Sequence, residues 1–194
     1  MTTAPLELLR AKRFLRAKSQ AARAMLSPAE VEARSRQVAA RLLGLPSVAQ
    51  ARTIFCYVSH HSEVATHALI RGWLAEGRRV QVPGFDPQQG LYRPVWLQDF
   101  ERDLAPGKLG ILEPRTFAPA GAPAQIAIVP GVAFDAQGHR LGHGKGYYDE
   151  MLRTFAGLKI ALAFDCQMQP SVPATERDVP MDVVVTETTV YRRS

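Results

Sequence analysis

The chain has 194 residues, of which 46% are hydrophobic and 22% are charged, and this composition predicts a single globular domain. No apolar run approaches the roughly 20 residues that a helix needs to cross a membrane, and the N-terminal region is too charged for a secretory signal. The two cysteines form no close pair, which argues against a disulfide framework or a thiolate metal site, so we expect a reducing cytoplasm.

The net charge of +6 is concentrated near the N-terminus. Residues 1–52 contain ten Lys or Arg and three Asp or Glu, a balance of +7, whereas the rest of the chain contains fourteen and fifteen, a balance of −1. Such a region is typical either of a solvated helix face or of a surface that attracts an anion, whether a nucleic acid or a phosphorylated or carboxylated small molecule. Charge alone leaves both interpretations open.

Two helices are predicted in this basic region. Residues 5–26 have apolar side chains at helical spacing. Four polar side chains share another face of this helix: Lys12, Arg16, Ser19 and Arg23. Residues 27–30 form a capping-box pattern with proline at the first helical position, which predicts a second helix from about 28 to Leu43, closed by Gly44 and Pro46.

Strands and helices then alternate along the chain. Apolar and β-branched runs predict strands at 53–58, 79–82, 91–97 and 125–129. Thr66 is the predicted cap of a helix that runs to Glu76 and is stopped by Gly77. The proline-rich stretch 98–123 is long for a plain connection, so we expect it to carry function or to form a short hairpin.

The segment 140–149, Arg-Leu-Gly-His-Gly-Lys-Gly-Tyr-Tyr-Asp, is the most informative part of the chain. Its alternating glycines let backbone N–H groups turn toward a ligand, and Lys145 supplies a charge for a phosphate. A helix predicted from Gly146 to Gly157 adds the partial positive charge of its N-terminus, and Asp149 can hold a metal beside the anion. The spacing fits neither a P-loop nor a dinucleotide fingerprint, and it predicts a site for a magnesium polyphosphate.

Two more buried strands, at 159–164 and 183–186, continue the alternation. This order predicts an α/β fold, in which a mostly parallel mixed sheet carries helices on both faces in one three-layer domain. Ligands gather at the carboxyl ends of strands in such sheets. We therefore expect the loops after Val58, Val129 and Phe164 to converge on one edge.

Five segments share their order and spacing with a known family: residues 11–16, 57–66, 110–114, 130–149, and 161–167 with 173–178. In these segments the chain resembles the 5-formyltetrahydrofolate cyclo-ligase family (5,10-methenyltetrahydrofolate synthetases) over nearly its whole length. Because the match begins at Ala11, we expect the basic helix to belong to the working protein rather than to a removable presequence. The resemblance implies one ATP- and folate-binding domain, residues 1–194, of the CoA-transferase-like type.

The resemblance also implies a reaction in which MgATP converts 5-formyltetrahydrofolate into 5,10-methenyltetrahydrofolate, with release of ADP and phosphate. In such enzymes the formyl oxygen takes the γ-phosphate, and N10 then attacks the activated carbon. The protein positions the reactants and neutralises charge, so no covalent enzyme nucleophile is needed. We expect a small-molecule folate substrate, no nucleic-acid or membrane partner, and a monomer. A polyglutamated folate is anionic, which gives the basic region a second use.

Site residues follow from the positions that match the family. The implied ATP-binding residues are Lys12, Arg13, Phe14, Leu15 and Arg16 in the first helix and Arg140, Leu141, Gly142, His143, Gly144, Lys145, Gly146, Tyr147 and Tyr148 in the loop. The implied substrate-binding residues are Val58, Glu63 and Tyr148. The implied magnesium ligands are Asp149 and Asp178, with Asp182 as a nearby competitor. The expected catalytic cations are Lys145 and Arg140.

Two residues depart from the family pattern. His143 stands where the family often has Arg, and a mostly neutral histidine predicts a weaker or pH-dependent grip on phosphate. Ala65 stands where an acidic residue is usual. Three alternatives stay open: another nucleotide-dependent ligase or kinase on the same fold, a non-catalytic nucleic-acid binder, and a catalytically silent relative.

Overall fold

A seven-stranded sheet organises the structure, a computed structural model that describes residues 3–107 and 110–193. The strands are β1 Thr53–Cys56, β2 Arg79–Asp86, β3 Leu91–Leu97, β4 Leu104–Pro106, β5 Leu112–Pro114, β6 Ile126–Val129, β7 Ala133–Phe134, β8 Arg140–Leu141, β9 Leu158–Leu162, β10 Val183–Val185 and β11 Val190–Arg192. The sheet order is β11-β10-β9-β6-β1-β2-β3. Its inner strands pair in parallel and its two edge strands are antiparallel, which confirms the predicted mixed sheet.

Helices cover both faces of this sheet. They are α1 Thr3–Ala24, α2 Pro28–Leu43, α3 Pro46–Gln50, α4 His67–Ala75, α5 Phe100–Asp103 and α6 Tyr147–Leu152. Alternate strand residues enter two buried clusters. Ile54, Ile126 and Ile160 pack on the side of α2 and α4, whereas Phe55 and Ala127 pack on the side of α6. The predicted three-layer α/β domain is therefore confirmed. Among the residues that the structure describes, no helix has the length and apolar character of a membrane span.

Local signals in the sequence account for the start of α2. The Ser27 hydroxyl accepts the N–H of Glu30 at 3.3 Å, and Glu30 Oε2 accepts the N–H of Ser27 at 2.9 Å, so the predicted capping box is formed. The helix ends at Leu43, as predicted. Pro46 begins the short helix α3, which the sequence did not predict.

Other boundaries differ from the predictions for tertiary reasons. Strand β2 continues past Pro83 because its pairing with β1 ends at Gln81 and only β3 remains, so the absent N–H of Pro83 interrupts no second ladder. Helix α6 ends at Leu152 because the chain then turns to bring the N–H of Leu158 to the carbonyl of Gln125 at 3.0 Å. The edge strand β11 was not predicted.

The stretch 98–123 forms α5 and the β4/β5 hairpin, which confirms the hairpin alternative. Residues 108 and 109 of this stretch lie outside the described part of the chain. A second small hairpin, β7/β8, follows β6 and leads into the glycine-rich segment.

The topology positions the site at one edge of the sheet. The neighbouring strands β6, β1 and β9 are parallel, so the segments after their carboxyl ends converge, as predicted. Helix α1 packs against the turn Asp165–Gln167, which follows β9, and against β7, which follows β6. Leu15 anchors it in a buried cluster with Leu141 and Val172. The basic helix therefore lies where ligands gather in such sheets.

Candidate active site

Helix α1 brings two predicted cations onto the predicted ligand loops. Lys12 Nζ donates to Asp178 Oδ2 at 2.6 Å, and Arg16 Nε donates to the carbonyl oxygen of Gly142 at 2.7 Å. The two side chains lie one helical turn apart, as the spacing predicted. The Lys12 side chain is only 11% exposed, so the solvated-face interpretation is wrong for this residue.

The residues between these two cations point in other directions. Leu15 is buried, whereas Arg13 and Phe14 are exposed, with 72% of Phe14 accessible to solvent. The described contacts between α1 and the glycine-rich loop therefore come from Arg16, and those with the Asp178 segment come from Lys12.

The glycine-rich loop, residues 142–146, joins β8 to α6. Gly144 and Gly146 have φ values of +96° and +73°, in the left-handed region that glycine adopts without strain. A Cβ on Gly144 would lie 3.6 Å from the guanidinium of Arg16, so the loop backbone lies against this cation. Lys145 is exposed, which leaves its charge accessible to an anion.

Arg140 lies beneath the loop rather than on its surface. Its side chain is 3% exposed, its Nη2 donates to Asp149 Oδ1 at 2.9 Å, and its Nη1 donates to the carbonyl oxygen of Pro130 at 3.4 Å. These bonds fix the first turn of α6 against the end of β6. Direct contact between Arg140 and a nucleotide would require this arginine to exchange its carboxylate partner.

The two predicted magnesium ligands are connected through one backbone group. Asp149 Oδ1 accepts the N–H of Val179, the residue after Asp178, at 3.1 Å. Within the described ranges, the protein donors to each carboxylate converge on one oxygen, Oδ1 of Asp149 and Oδ2 of Asp178. Each side chain thus keeps an oxygen for a cation. Mg²⁺ accepts one or two carboxylates and completes its shell with phosphate and water oxygens, so these residues fit it.

Electrostatics favour Asp178 over its competitor. Burial alone would raise the pKa of Asp178, but hydrogen bonds from Lys12 and Thr175 outweigh it and hold the pKa below its usual value. Asp182 instead accepts the N–H of Lys159 at 2.7 Å, near the amino end of β9 and so at the opposite edge of the sheet. In residues 3–107 and 110–193, no three His, Cys, Asp or Glu side chains are grouped to hold a metal. Phosphate and water oxygens would have to complete the shell.

The predicted folate residues lie at the carboxyl end of β1. Val58 is buried there, and Glu63 follows in a loop where its Oε2 accepts the N–H of His60 at 2.9 Å. The Tyr57 hydroxyl donates to the carbonyl oxygen of Val64 at 2.7 Å, which ties the same loop to β1. Glu63 is therefore held in place by backbone contacts on both sides.

Glu63 and Tyr148 share one environment, although 85 residues separate them in the sequence. Burial raises the pKa of Glu63, and the N–H of His60 and the charge of Arg23 partly offset this effect. Burial, together with the negative charge of Glu63, raises the pKa of Tyr148 well above its ordinary value. The pair combines a carboxylate acceptor with a neutral hydroxyl donor. A carboxylate can accept two hydrogen bonds from the N–H edge of a pterin.

Comparison with known proteins decides the family. The model of the 5-formyltetrahydrofolate cyclo-ligase family matches residues 9–187. The chain belongs to this family of enzymes. The 5-formyltetrahydrofolate cyclo-ligase of Escherichia coli (strain K12) is 31% identical over 175 residues, which cover 87% of this chain and 96% of that protein. The Haemophilus influenzae cyclo-ligase is 29% identical over 170 residues, with coverage of 84% and 91%.

Solved structures agree with this assignment. The 5,10-methenyltetrahydrofolate synthetase of Aquifex aeolicus is 33% identical and superposes with a TM-score of 0.83, covering 94% of this chain and 92% of that one. The enzyme of the same name from Mycoplasma pneumoniae is 23% identical, with a TM-score of 0.71 and coverage of 91% and 98%, and its likeness shows the fold.

Both departures from the cyclo-ligase family pattern have local consequences. The N–H of Ala65 donates to the hydroxyl of Ser35 in α2 at 3.0 Å, so the loop is fastened there without an acidic side chain. Partial loss of hydration and three nearby arginines, of which Arg23 contributes most, lower the pKa of His143, although the residue as a whole is exposed. The imidazole is therefore neutral at pH 7 and adds no full charge to this cyclo-ligase loop.

Three further residues lie near predicted site residues and were not predicted as ligand-binding: Arg23, Tyr92 and Glu113. The Tyr147 ring lies 4.9 Å from that of Tyr92, and the Tyr92 hydroxyl donates to Glu113 Oε1 at 3.0 Å. Burial and Glu113 raise the pKa of Tyr92 to about 12, so it remains a donor. A cavity of about 260 Å³ opens beside them, lined in part by Phe85. Glu113 belongs to a segment that resembles the family, which was the available signal, whereas Tyr92 carried none.

Proposed function

We propose that this protein uses ATP to cyclise 5-formyltetrahydrofolate to 5,10-methenyltetrahydrofolate, with release of ADP and phosphate. One observation carries the proposal: α1 holds Lys12 on Asp178 and Arg16 on the glycine-rich loop, so cations, loop and carboxylates occupy one edge of the sheet. Family membership and the name of the Aquifex aeolicus structure support the choice of reaction. A cytoplasmic location and a monomeric state remain predictions from the sequence.

The glycine-rich loop is the proposed binding site of the phosphate tail. Arg16 holds its backbone, Lys145 supplies an accessible charge, and the start of α6 adds a partial positive charge. Asp149 and Asp178 would hold the divalent ion that accompanies the tail. When bound, Mg²⁺ would neutralise part of the negative charge of the phosphate tail.

The loop after β1 and the first turn of α6 form the proposed folate site. Glu63 would accept hydrogen bonds from the pterin, and the Tyr148 hydroxyl would donate to a pterin or formyl acceptor. Val58 supplies an apolar surface. The tilted rings of Tyr92 and Tyr147 offer an aromatic wall for the rest of the folate.

The proposed reaction forms no covalent bond between substrate and enzyme. The formyl oxygen attacks the γ-phosphorus, and the bond from that phosphorus to the β–γ bridging oxygen breaks with its electron pair leaving on ADP. N10 then attacks the formyl carbon of the iminium phosphate. The carbon–oxygen bond breaks, and the departing phosphate takes both that electron pair and the N10 proton. The protein contributes orientation and neutralisation of charge, which are the main terms in phosphoryl transfer.

The proposal is tested with purified protein, MgATP and 5-formyltetrahydrofolate, by following the absorbance of the methenyl product. Product should form with ATP and not with an analogue that has a non-hydrolysable β–γ bond. Consumption of ATP without methenyl product would instead support the alternative of another ligase or kinase. Absence of product across the pH range in which the protein stays folded would overturn the proposal.

A further inference from the structure

Helix α1 carries a third cation, Arg23, on the face that holds Lys12 and Arg16. Arg23 follows Arg16 by seven residues, or two helical turns, so the two side chains leave the same side of the helix. At 1.5 Å per residue, Arg23 lies about 10 Å farther along the axis, beyond the contact with the glycine-rich loop. The three cations therefore form a row that begins at the Asp178 segment, passes the glycine-rich loop and ends at Arg23, whose charge acts on Glu63.

The charge of Arg23 acts on residues of both the proposed nucleotide site and the proposed folate site. Its charge lowers the pKa of Glu63 against the opposing effect of burial, and it adds to the effect of burial in lowering the pKa of His143. Tyr57, at the end of β1, and Cys166, in the turn after β9, also lie within range of its charge. The charge of Arg23 therefore acts on the segments after β1 and β9 and on the glycine-rich loop, which converge on this edge of the sheet.

On this face of α1, Arg23 differs from Lys12 and Arg16 because its guanidinium has no partner among the residues that the structure describes. Lys12 and Arg16 are paired with a carboxylate and a carbonyl, whereas the Arg23 side chain makes no hydrogen bond or ion pair in residues 3–107 and 110–193. It is also partly buried. None of its nitrogens is both buried and without a partner, so solvent reaches them, and an accessible guanidinium beside the proposed phosphate loop points to an anionic ligand at this place.

We propose that Arg23 is a further catalytic residue, whose guanidinium binds the phosphoryl group as it passes from ATP to the formyl oxygen. This inference rests on the proposed function. Glu63 belongs to the proposed pterin site and His143 to the proposed phosphate loop, so the transferring group lies between them. The planar guanidinium matches phosphoryl oxygens with paired hydrogen bonds, and a fixed charge there stabilises the negative charge of the transition state.

A rival role would make Arg23 a positioning residue that acts only through Glu63. In that role its charge keeps the buried carboxylate ionised, and its loss would raise the KM for folate while leaving kcat unchanged. A third possibility is a purely structural role, because a basic side chain in the last turn of a helix stabilises the helix itself. Its loss would lower the thermal midpoint without a specific effect on kcat.

The test compares Arg23→Ala, Arg23→Lys and the matched control Arg10→Ala, which removes an exposed charge from the same helix. Arg23→Ala is expected to lower kcat by about 10²–10³-fold, the cost of one transition-state donor, while both KM values change by less than about 3-fold. Arg23→Lys should recover part of the lost kcat, because lysine restores the charge but not the paired N–H groups of the guanidinium. Arg10→Ala should match the wild-type protein.

Thermal midpoints show whether each variant is folded, and Arg23→Met, which keeps the apolar stem, replaces the alanine variant if that one unfolds. Wild-type kcat in folded Arg23→Ala or Arg23→Met would overturn the inference, as would a loss confined to the KM for folate. If the wild-type protein itself forms no methenyl product, the proposed function fails. If it forms product and the Arg23 variants do so equally well, only the role of Arg23 fails.

Discussion

Lys12 Nζ and Asp178 Oδ2 lie 2.6 Å apart, so a cation proposed for the nucleotide neutralises a carboxylate proposed for the metal. Arg140 and Asp149 repeat this arrangement at 2.9 Å. A metal on the second oxygen of each carboxylate would weaken both ion pairs and make the cations more available to phosphate, and a phosphate tail on the cations would make both carboxylates more available to metal. Nucleotide and Mg²⁺ should therefore bind with positive coupling.

Asp178→Asn is expected to reduce this coupling by changing the affinity for ATP both without and with Mg²⁺. The variant removes a metal ligand and frees Lys12, so ATP should bind more tightly than to wild type without Mg²⁺ and less tightly with it. Calorimetric titration of ATP with and without Mg²⁺ measures both affinities. Glu150→Gln, which removes an exposed carboxylate from the first turn of α6, is the control and should leave the coupling unchanged. Equal losses in both conditions would contradict this account of the two pairs.

Lys145→Ala should lower kcat by about 100-fold. The variant removes a positive charge from the proposed phosphate site, and loss of one transition-state donor typically lowers kcat by this factor. Lys145 is exposed, so the thermal midpoint should not change. Arg153→Ala makes the same charge change at an exposed position just after the opposite end of α6 and should retain activity. Similar kcat values for the two variants would argue against the loop as the phosphate site.

Folate binding should weaken at acidic pH in a way that depends on Glu63. Its folded-state pKa lies above its ordinary value because of burial, so the ionised acceptor is lost as pH falls through that raised pKa. The KM for folate should therefore begin to rise at a higher pH than an ordinary carboxyl would cause. Glu63→Gln should raise the KM and remove this pH dependence.

The stability of Glu63→Gln serves as the check on that interpretation. Because the folded-state pKa is raised, ionised Glu63 costs stability at neutral pH, and this cost disappears as pH falls through the raised value. The glutamine variant should therefore unfold at the same urea concentration as wild type or at a higher one. A marked loss of stability would show that Glu63 serves the fold instead.

His143→Arg should tighten nucleotide binding and destabilise the protein. Partial loss of hydration and nearby arginines keep His143 neutral, so the variant adds one full charge to the phosphate loop. The KM for MgATP should fall, and its dependence on pH on the acid side of neutrality should become weaker. The new charge lies near Arg23, Arg140 and Arg16, so the thermal midpoint without nucleotide should fall and recover when nucleotide is added. An unchanged KM for MgATP would indicate that the phosphate tail of ATP does not bind at this loop.

Local patterns predicted the parts of the fold that local physics controls. The capping box that begins at Ser27 and the 3.6-residue period of α1 fixed two helices, and apolar runs located the inner strands. The longer β2, the shorter α6 and the strand β11 depend on which segments pair across the sheet. That information is not carried by the residues that form them.

The site residues also divide into those that local spacing predicted and those that only the folded chain brings together. Lys12 and Arg16 were predicted together because helical spacing places them on one face. The closeness of Glu63 to Tyr148, and of Tyr92 to Tyr147, results from contacts between segments that are remote in sequence. Arg23 was placed on the correct face of α1, but only the folded chain shows which loops surround it.

Isotope transfer tests the central claim most directly. With 5-formyltetrahydrofolate that carries ¹⁸O in its formyl group, this account predicts that the label appears in the released inorganic phosphate, one atom for each methenyl product formed. The formyl oxygen is the nucleophile toward the γ-phosphorus and leaves as part of phosphate. Recovery of the label in water, with unlabelled phosphate, would contradict phosphorylation of the formyl oxygen and the assignment of the site that is built on it.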